Sequence, residues 1–510
     1  MEVFCALVLA LASIVALAFV FNKHKPKLKF KFPPGPKPWP IIGNLNLIGS
    51  IPHQSLHFLS KKYGPIMYLK FGKFPVVVAS TPEMAKEFLK NHDAEFASRP
   101  LLSAGKYTSY NYSDLTWSPY GPYWRQARKI YLSEVFSPKK MESELFEQIR
   151  TEERRDLMSR LHSLSGNSSV LLRDHVFRYA LLTINRMALG QKYFNDCEDE
   201  ESSLQFDEFH EMLDEWFLLG GVFNIGDWIP WLQFLDLQGY VRRMKVLAKK
   251  LDKIYEVVIN DHVKMAATNN SGRKDTVDRL LELAEDPNVD VKLTRDQIKA
   301  LIQNLIVGGA DTTRTVMEWI VQELMRHPRV YEKAKDELNR VIGKNRWVEE
   351  TDYAKLPYIE AIIIETMRLH PLATFLAPHY AMDNCRIAGY DILKGTTILI
   401  NTWSIGRDPD SWDAPEEFIP ERFVGKKVDI LGMNFALLPF GSGRRRCPGY
   451  SLGLKSMWAI TANLLHGFDL KLGDGMRHED VSLEEVYGLT THPKQILSII
   501  LEPTLPKELY

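Results

Sequence analysis

Ten residues near the C-terminal end leave this chain the least conformational freedom: Phe440-Gly441-Ser442-Gly443-Arg444-Arg445-Arg446-Cys447-Pro448-Gly449. Three glycines and a proline in so short a stretch disfavour a regular helix or strand and predict a tight loop. The apolar run from Tyr450 to Leu465 follows at once and reads as a helix. Cys447 therefore stands just ahead of a helix N-terminus, where unpaired N–H groups and the positive end of the dipole favour a thiolate. The three arginines beside it act in the same sense. Such a cysteine suits a nucleophile or a metal ligand; the plainer reading is a buried structural cysteine beside an anion-binding loop.

Length alone, 510 residues, would allow about three domains. With 45% hydrophobic and 25% charged residues a large core can form. Lys plus Arg equals Asp plus Glu, 64 each, so no global field draws nucleic acid. The cysteines Cys5, Cys197, Cys385 and Cys447 are scattered without CxxC spacing, which argues against a zinc cluster or a disulfide framework and for a reducing compartment.

Val3 to Phe21 is 19 residues without a charge, near the length that spans a bilayer. Positive charge follows this run, at Lys23, Lys25, Lys27, Lys29 and Lys31, rather than preceding it. That order favours a retained single-pass anchor over a cleaved signal peptide, with the rest of the chain in the cytosol. Pro33 to Pro40 holds too many prolines for helix or sheet and reads as a stiff strut. The organisation expected is an anchor over 1–22, a basic and proline-rich hinge over 23–44, and a catalytic body over 45–510.

Within the body, residues 65–80 suggest a strand pair. Ser98 to Gly121 reads as a long loop of the kind that carries function. Trp124 and Arg128, four apart, share one face of a helix. Residues 138–263 read as mostly helical, interrupted over Trp216–Tyr240 by Gly220, Gly221, Gly226 and the run Trp228-Ile229-Pro230-Trp231-Leu232. That interruption fits a membrane interface, a substrate entrance or a kinked core helix. Thr294 and Gln297 form a capping box that opens the longest helix, which runs to Arg326 before His327-Pro328. Its middle reads Gly308-Gly309-Ala310-Asp311-Thr312-Thr313. Glycine inside a helix costs roughly 1 kcal/mol against alanine, and close approach of a ligand is a usual compensation. Thr312 can bond back into its own helix, and Asp311 offers a proton carrier. Glu365 and Arg368 lie three apart in an apolar helix and must be paired if buried. Gly389 to Asn401 looks like a hairpin, and Tyr487 to Thr491 like a late turn.

The spacing of Phe440, Gly443, Arg445, Cys447 and Gly449 resembles the haem-binding signature of the cytochrome P450 family. The Trp-x-x-x-Arg pair, the Gly-x-Asp-Thr-Thr run, Glu-x-x-Arg and Pro420-Glu421-Arg422-Phe423 resemble further family patterns in the family's order. The resemblance implies a mainly α fold with a smaller β region, preceded by a transmembrane helix. It implies haem b with Cys447 as axial thiolate, and Trp124, Arg128, Phe440, Gly443, Arg445 and Gly449 as cofactor-binding residues. Asp311 and Thr312 would deliver protons to dioxygen, with Gly308 and Gly309 making room. Glu365, Arg368 and Arg422 would form a structural triad, and Pro371–Leu376 and Tyr487–Thr491 would line the pocket.

The expected reaction is insertion of one oxygen atom into a lipophilic metabolite, with electrons from NADPH through a cytochrome P450 reductase. Arg125, Lys129 and Arg444 are the reductase contacts this reading picks. The chain is similar to plant enzymes of the endoplasmic-reticulum membrane. Terpenoid oxidation is favoured, including C–C cleavage of tertiary terpene alcohols to homoterpenes, with a phenolic or flavonoid hydroxylase as the alternative. A haem-thiolate lyase or isomerase fits less well, because Thr312 is present and the cysteine loop carries no insertion.

Overall fold

Helices form most of the frame. In the computed structural model they include α1 (Pro52–Tyr63), α2 (Pro122–Glu134), α3 (Glu144–Ser163), α4 (Leu172–Leu189), α5 (Phe206–Gly221) and α6 (Tyr240–Ala267). Further on come α7 (Thr276–Glu285), α8 (Arg295–Arg326), α9 (Pro328–Val341), α10 (Pro357–Leu369) and α11 (Tyr450–Gly467). The structure describes residues 30–510 apart from 167–168, 192, 195–205, 268–273, 288, 290, 427 and 474. The expected anchor at 3–21 lies outside the described residues. Among the described residues no helix is long and apolar enough to cross a membrane.

α8 is the central rod. Its 32 residues span about 50 Å. Thr294 Oγ1 accepts the backbone N–H of Gln297 (3.3 Å), and Gln297 Oε1 accepts that of Thr294 (2.9 Å), the capping box expected from the sequence. From Ile298 to Met325 almost every side chain is buried, as a helix inside a large core requires. Asn304, Gly308 and Thr312 are among the few exceptions. They are four apart and so form one stripe along the rod.

One apolar core lies between α2, α4, α5, α6 and the first half of α8, around Phe177, Trp216, Tyr255 and Leu301. A second lies between the end of α8, α10 and α11, around Ile320, Ile362 and Ile460. The β region is small. Strands β1 (Ile66–Phe71) and β2 (Phe74–Ala79) form the expected antiparallel pair, with Phe71 opposite Phe74. β3 (His379–Tyr380) and β4 (Thr397–Ile400) complete that sheet in the order β1, β2, β4, β3.

Two local expectations are corrected. Thr397–Ile400 does not belong to a hairpin over 389–401; it pairs parallel with β2 in the register Val76 to Thr397. The hairpin is one step earlier, Cys385–Ile387 against Tyr390–Ile392, turned by Ala388 and Gly389 at φ 48° and 81°. The region 98–121 is not structureless either. It holds a helix at Ser103–Thr108, then Tyr110, Asn111 and Tyr112 all at positive φ, 46° to 63°. The Tyr112 ring folds back so closely that a Cβ on Gly105 would meet it at 2.7 Å. Such long-range folding back leaves no periodic trace in the sequence.

Candidate active site

The cysteine loop is shaped by its glycines. Gly441 and Gly443 sit at φ 66° and 68°, and a Cβ on Gly443 would lie 2.3 Å from the Leu89 carbonyl oxygen. The Cys447 N–H donates to Phe440 O at 2.9 Å, closing the loop, and Gly449 is the N-cap of α11. Burial pushes the Cys447 thiol up, against the pull of the Gly449 N–H, Arg128 and Arg446. Burial thus opposes the thiolate that the helix terminus and the arginines favour. A cation facing the sulfur would supply the balance.

The arginines also separate. Arg444 turns outward to Asp93 at 3.1 Å. Arg445 turns inward, donating to the carbonyls of Ala97 (2.7 Å), Leu115 (3.2 Å) and Ser118 (2.6 Å). Its guanidinium lies 4.3 Å from the Trp124 ring centroid. Trp124 Nε1 donates to Leu115 O (3.1 Å), and Arg128 donates to Arg446 O (2.6 Å).

Arg99 and His379 join this group, and no motif in the sequence marked them. Arg99 donates to Thr116 O (3.0 Å) and Pro378 O (3.0 Å), and His379 Nδ1 pairs with Phe96 O (2.9 Å). The only hint was that Arg99 falls in the segment read as a functional loop. Among the described residues none of Arg99, Arg128 and Arg445 forms a salt bridge with a carboxylate. Burial and mutual repulsion bring Arg445 down to about 8, and burial brings Arg99 down to about 10.

Cys447, these three arginines, and Gly308 and Thr312 of α8 line one cavity of about 320 Å³. Cys447 is its floor and the open stripe of α8 its roof. Thr312 Oγ1 donates to Gly308 O at 2.8 Å, so the hydroxyl bonds back along the roof as expected. A Cβ on Gly308 would meet nothing within 4 Å, which fits a glycine that keeps the roof clear. Gly309 also serves packing. Its Cβ would meet Ile184 of α4 at 2.9 Å, so Gly309 admits a neighbouring helix as well as lining the cavity.

Asp311 is likewise placed apart from Thr312. It is buried outside the cavity lining, against Arg314 and Thr490 Oγ1 (3.2 Å), with Arg314 also on Asp214 at 2.7 Å. Burial raises its carboxyl, and Arg314 opposes that shift. Leu372, Ala373 and Leu376 line the cavity as expected. The segment Tyr487–Thr491 does not; it braces from behind, through Thr491 N to Leu372 O (2.8 Å).

Glu365, Arg368 and Arg422 meet as the sequence reading required. Glu365 accepts from Arg368 Nε (2.7 Å) and Nη2 (2.8 Å) and from Arg422 Nε (3.2 Å). Arg368 also donates to the carbonyls of Gly406 (2.6 Å), Pro415 (2.7 Å) and Glu417 (2.9 Å). The triad thereby pins the segment 406–422 to α10.

A half-buried sulfur facing an apolar slot, rimmed by guanidinium groups with no carboxylate of their own, is the donor set for a planar metallocycle bearing acidic side chains. The class is a haem-thiolate protein. Comparison with known proteins agrees: the cytochrome P450 family profile matches residues 33–499, and the chain belongs to that family. It is 44% identical over 495 residues to a trimethyltridecatetraene synthase of Zea mays, covering 92% of this chain and 88% of that one. It is 42% identical to a flavonoid 3'-monooxygenase of Arabidopsis thaliana, covering 93% and 92%. A solved zebrafish cytochrome P450 with progesterone superposes with a TM-score of 0.75 at 25% identity, over 89% of this chain and 99% of that one. The protein is a cytochrome P450 monooxygenase of plant specialised metabolism.

The residues present fit haem. Cys447 would ligate the iron, Arg99, Arg128, Arg445 and His379 would hold the propionates, and Phe440, Leu452 and Met457 would flank the ring plane. Thiolate-ligated haem supplies the activation of dioxygen.

Proposed function

We propose that the enzyme oxidises a lipophilic terpenoid and that its substrate is a tertiary terpene alcohol cleaved to a homoterpene. The carrying observation is the lining between Cys447 and α8. Leu115, Leu305, Val316, Leu372, Ala373 and Leu376 are apolar, and the polar groups opposite them are Thr312, Thr313 and the Asn304–Thr116 pair at 3.1 Å. The charged groups are gathered at the haem rim. An acyclic chain with one hydroxyl suits such a slot, since a single donor–acceptor pair would satisfy it. The Zea mays relative is named for an acyclic polyene hydrocarbon, which supports the same class. Flavonoid hydroxylation is the second reading, favoured by the Arabidopsis thaliana relative.

In this reading Thr312 Oγ1 holds a proton at the roof where dioxygen is reduced. Asp311 replenishes it after turning from Arg314. Electrons come from NADPH through a reductase docked beside the cysteine loop, where Arg125 and Lys129 are exposed on α2. Residues 3–21 anchor the chain in the endoplasmic-reticulum membrane with the body in the cytosol. Exposed Trp39 and Ile41, close after the hinge prolines, are consistent with a bilayer nearby.

The test is expression of the full chain in microsomes with a reductase, scored for the carbon monoxide spectrum of the reduced protein beside Cys447→Ser. The same microsomes are then fed tertiary terpene alcohols and, separately, flavonoids. A red-shifted band lost in the variant, with cleavage of the terpene alcohol, is the expected result. Turnover of flavonoids alone would replace the substrate assignment and leave the reaction class intact.

A further inference from the structure

The rod α8 carries a second stripe. Asp311, Arg314, Glu318 and Gln322 are three and four apart, so they share a face of the helix, and none of them except through its backbone neighbours reaches the cavity above Cys447. Arg314 binds Asp311 and, at 2.7 Å, Asp214 of α5 through the same nitrogen, Nη2. Arg173 of α4 lies 3.3 Å from Glu318, 3.2 Å from Asp214 and 3.8 Å from Asp174. Among the described residues four carboxyls thus meet two guanidinium groups. The nearby histidines add no charge. His210 Nε2 accepts from Arg314 Nη1 (2.5 Å), burial and Arg314 bring His210 down to about 4, and burial also lowers His492 beside Asp311.

The acids divide by exposure. The side chains of Asp174 and Asp214 are 46% and 44% exposed, so water shields their charges, whereas those of Asp311 and Glu318 are 1% and 13% exposed. Burial raises both of the latter, Glu318 to about 7, with Arg314 opposing. A small cavity joins Glu318 to Arg314. Its volume is about 30 Å³, room for about two waters, and both side chains line it with Gln322 against Met317, Val321 and Leu464. Arg314 and Gln322 are buried, yet Arg314 Nε and Gln322 Oε1, a donor and an acceptor, have no hydrogen-bond partner among the described residues. A bare donor and a bare acceptor beside a water-sized space are what ordered water satisfies.

We infer that Glu318 is a positioning residue for Asp311: through Arg314 and water held in this cavity, its charge sets how firmly the Asp311 carboxylate is gripped. With Glu318 ionised, Arg314 is neutralised by Glu318 and Asp214 together, and Asp311 is free to take a proton from water and turn toward Thr312. With Glu318 neutral, Arg314 holds Asp311 as the carboxylate. The link is electrostatic, and no proton crosses the guanidinium. Against burial, Asp311, Glu318 and Asp214 keep Arg314 protonated throughout. The inference rests on Asp311 as the source of the Thr312 proton and adds the group that controls it.

The test follows the infrared stretch of protonated carboxyl groups in the haem-loaded full chain across pH, with Asp311→Asn marking the Asp311 band. In Glu318→Gln that band should titrate about one pH unit lower than in the native protein, because Arg314 then turns its whole charge on Asp311. Coupling, the product formed per oxygen consumed with whichever substrate class is turned over, should rise in the native enzyme as pH passes through about 7. It should be several-fold lower and flat in Glu318→Gln, and Glu318→Asp should restore both. An unchanged carbon monoxide spectrum shows that the variants fold. Val321→Leu fills the cavity and removes no charge. It should move the Asp311 band the same way by less, and it decides the matter should Glu318→Gln fail to fold. An Asp311 band that stays in place overturns the inference, since Glu318 would then only brace the helix. Full coupling in Asp311→Asn overturns Asp311 as the proton source, and this inference with it.

Discussion

Two buried clusters of arginine in this molecule look alike in composition and are opposites in charge balance. Arg368 and Arg422 surround Glu365, whose oxygens take three of their N–H groups. Arg99, Arg128 and Arg445 have only carbonyls as acceptors and one neighbouring acid, Asp114. A buried guanidinium is tolerable when an anion sits against it, and costly when it does not. The first cluster is closed and holds the fold together. The second is open, and the missing negative charge is what two haem propionates would bring.

The contrast can be broken most severely at Glu365. Glu365→Ala leaves two guanidinium groups facing each other, at a cost of about 3–5 kcal/mol. It should lower the urea midpoint of haem-free and haem-loaded protein alike, or prevent recovery of either. Arg445→Leu should act in the other direction on the haem-free chain, leaving its midpoint unchanged or raised, because it removes an uncompensated charge. It should weaken haem retention about 10- to 100-fold, read from transfer of haem to apomyoglobin.

The open cluster also predicts a pH dependence. Burial raises the Asp114 carboxyl from its ordinary 3.8 to about 6, with Arg445 and Arg99 opposing. The folded state therefore holds that proton more tightly than the unfolded state does. Its contribution to stability is full below pH 3.8 and is lost as pH rises toward about 6. Denaturation of the haem-free protein across that window should show the decline, and Asp114→Asn should flatten it. The smallest effect is expected from Arg422→Lys. It keeps the charge near Glu365 and loses bonds to the carbonyls of Asp413 and Ala414, for about 1 kcal/mol, read as a shift in the urea midpoint.

The closed cluster could be read from spacing: Glu365 and Arg368 are three apart on one helix, and Arg422 stands in a recognisable segment. The open cluster could be read only in half. Trp124, Arg128 and Arg445 carry local patterns, whereas Arg99 and His379 reach the same rim from distant parts of the chain. Gly308 and Gly309 show the same boundary within two residues. Both mark a special place in the helix and both line the cavity, yet only the packing of α4 against α8 tells that Gly309 also meets Ile184 and Gly308 meets no neighbour.

By itself, the sequence determined what depends on neighbours in the chain: the glycine-shaped cysteine loop, the capped rod of α8, the strand pair and the Glu365–Arg368 pair. Caps, turns and helical spacing act over a few residues and leave their signature there. The tertiary structure alone decided what depends on how elements are rotated against each other. It turned Asp311 away from the cavity and Thr312 toward it. It joined Thr397–Ile400 to β2, and it brought Arg99 and His379 to the rim beside Arg445. Those outcomes follow from which face of each element is buried against which partner, and packing across hundreds of residues has no local period to betray it.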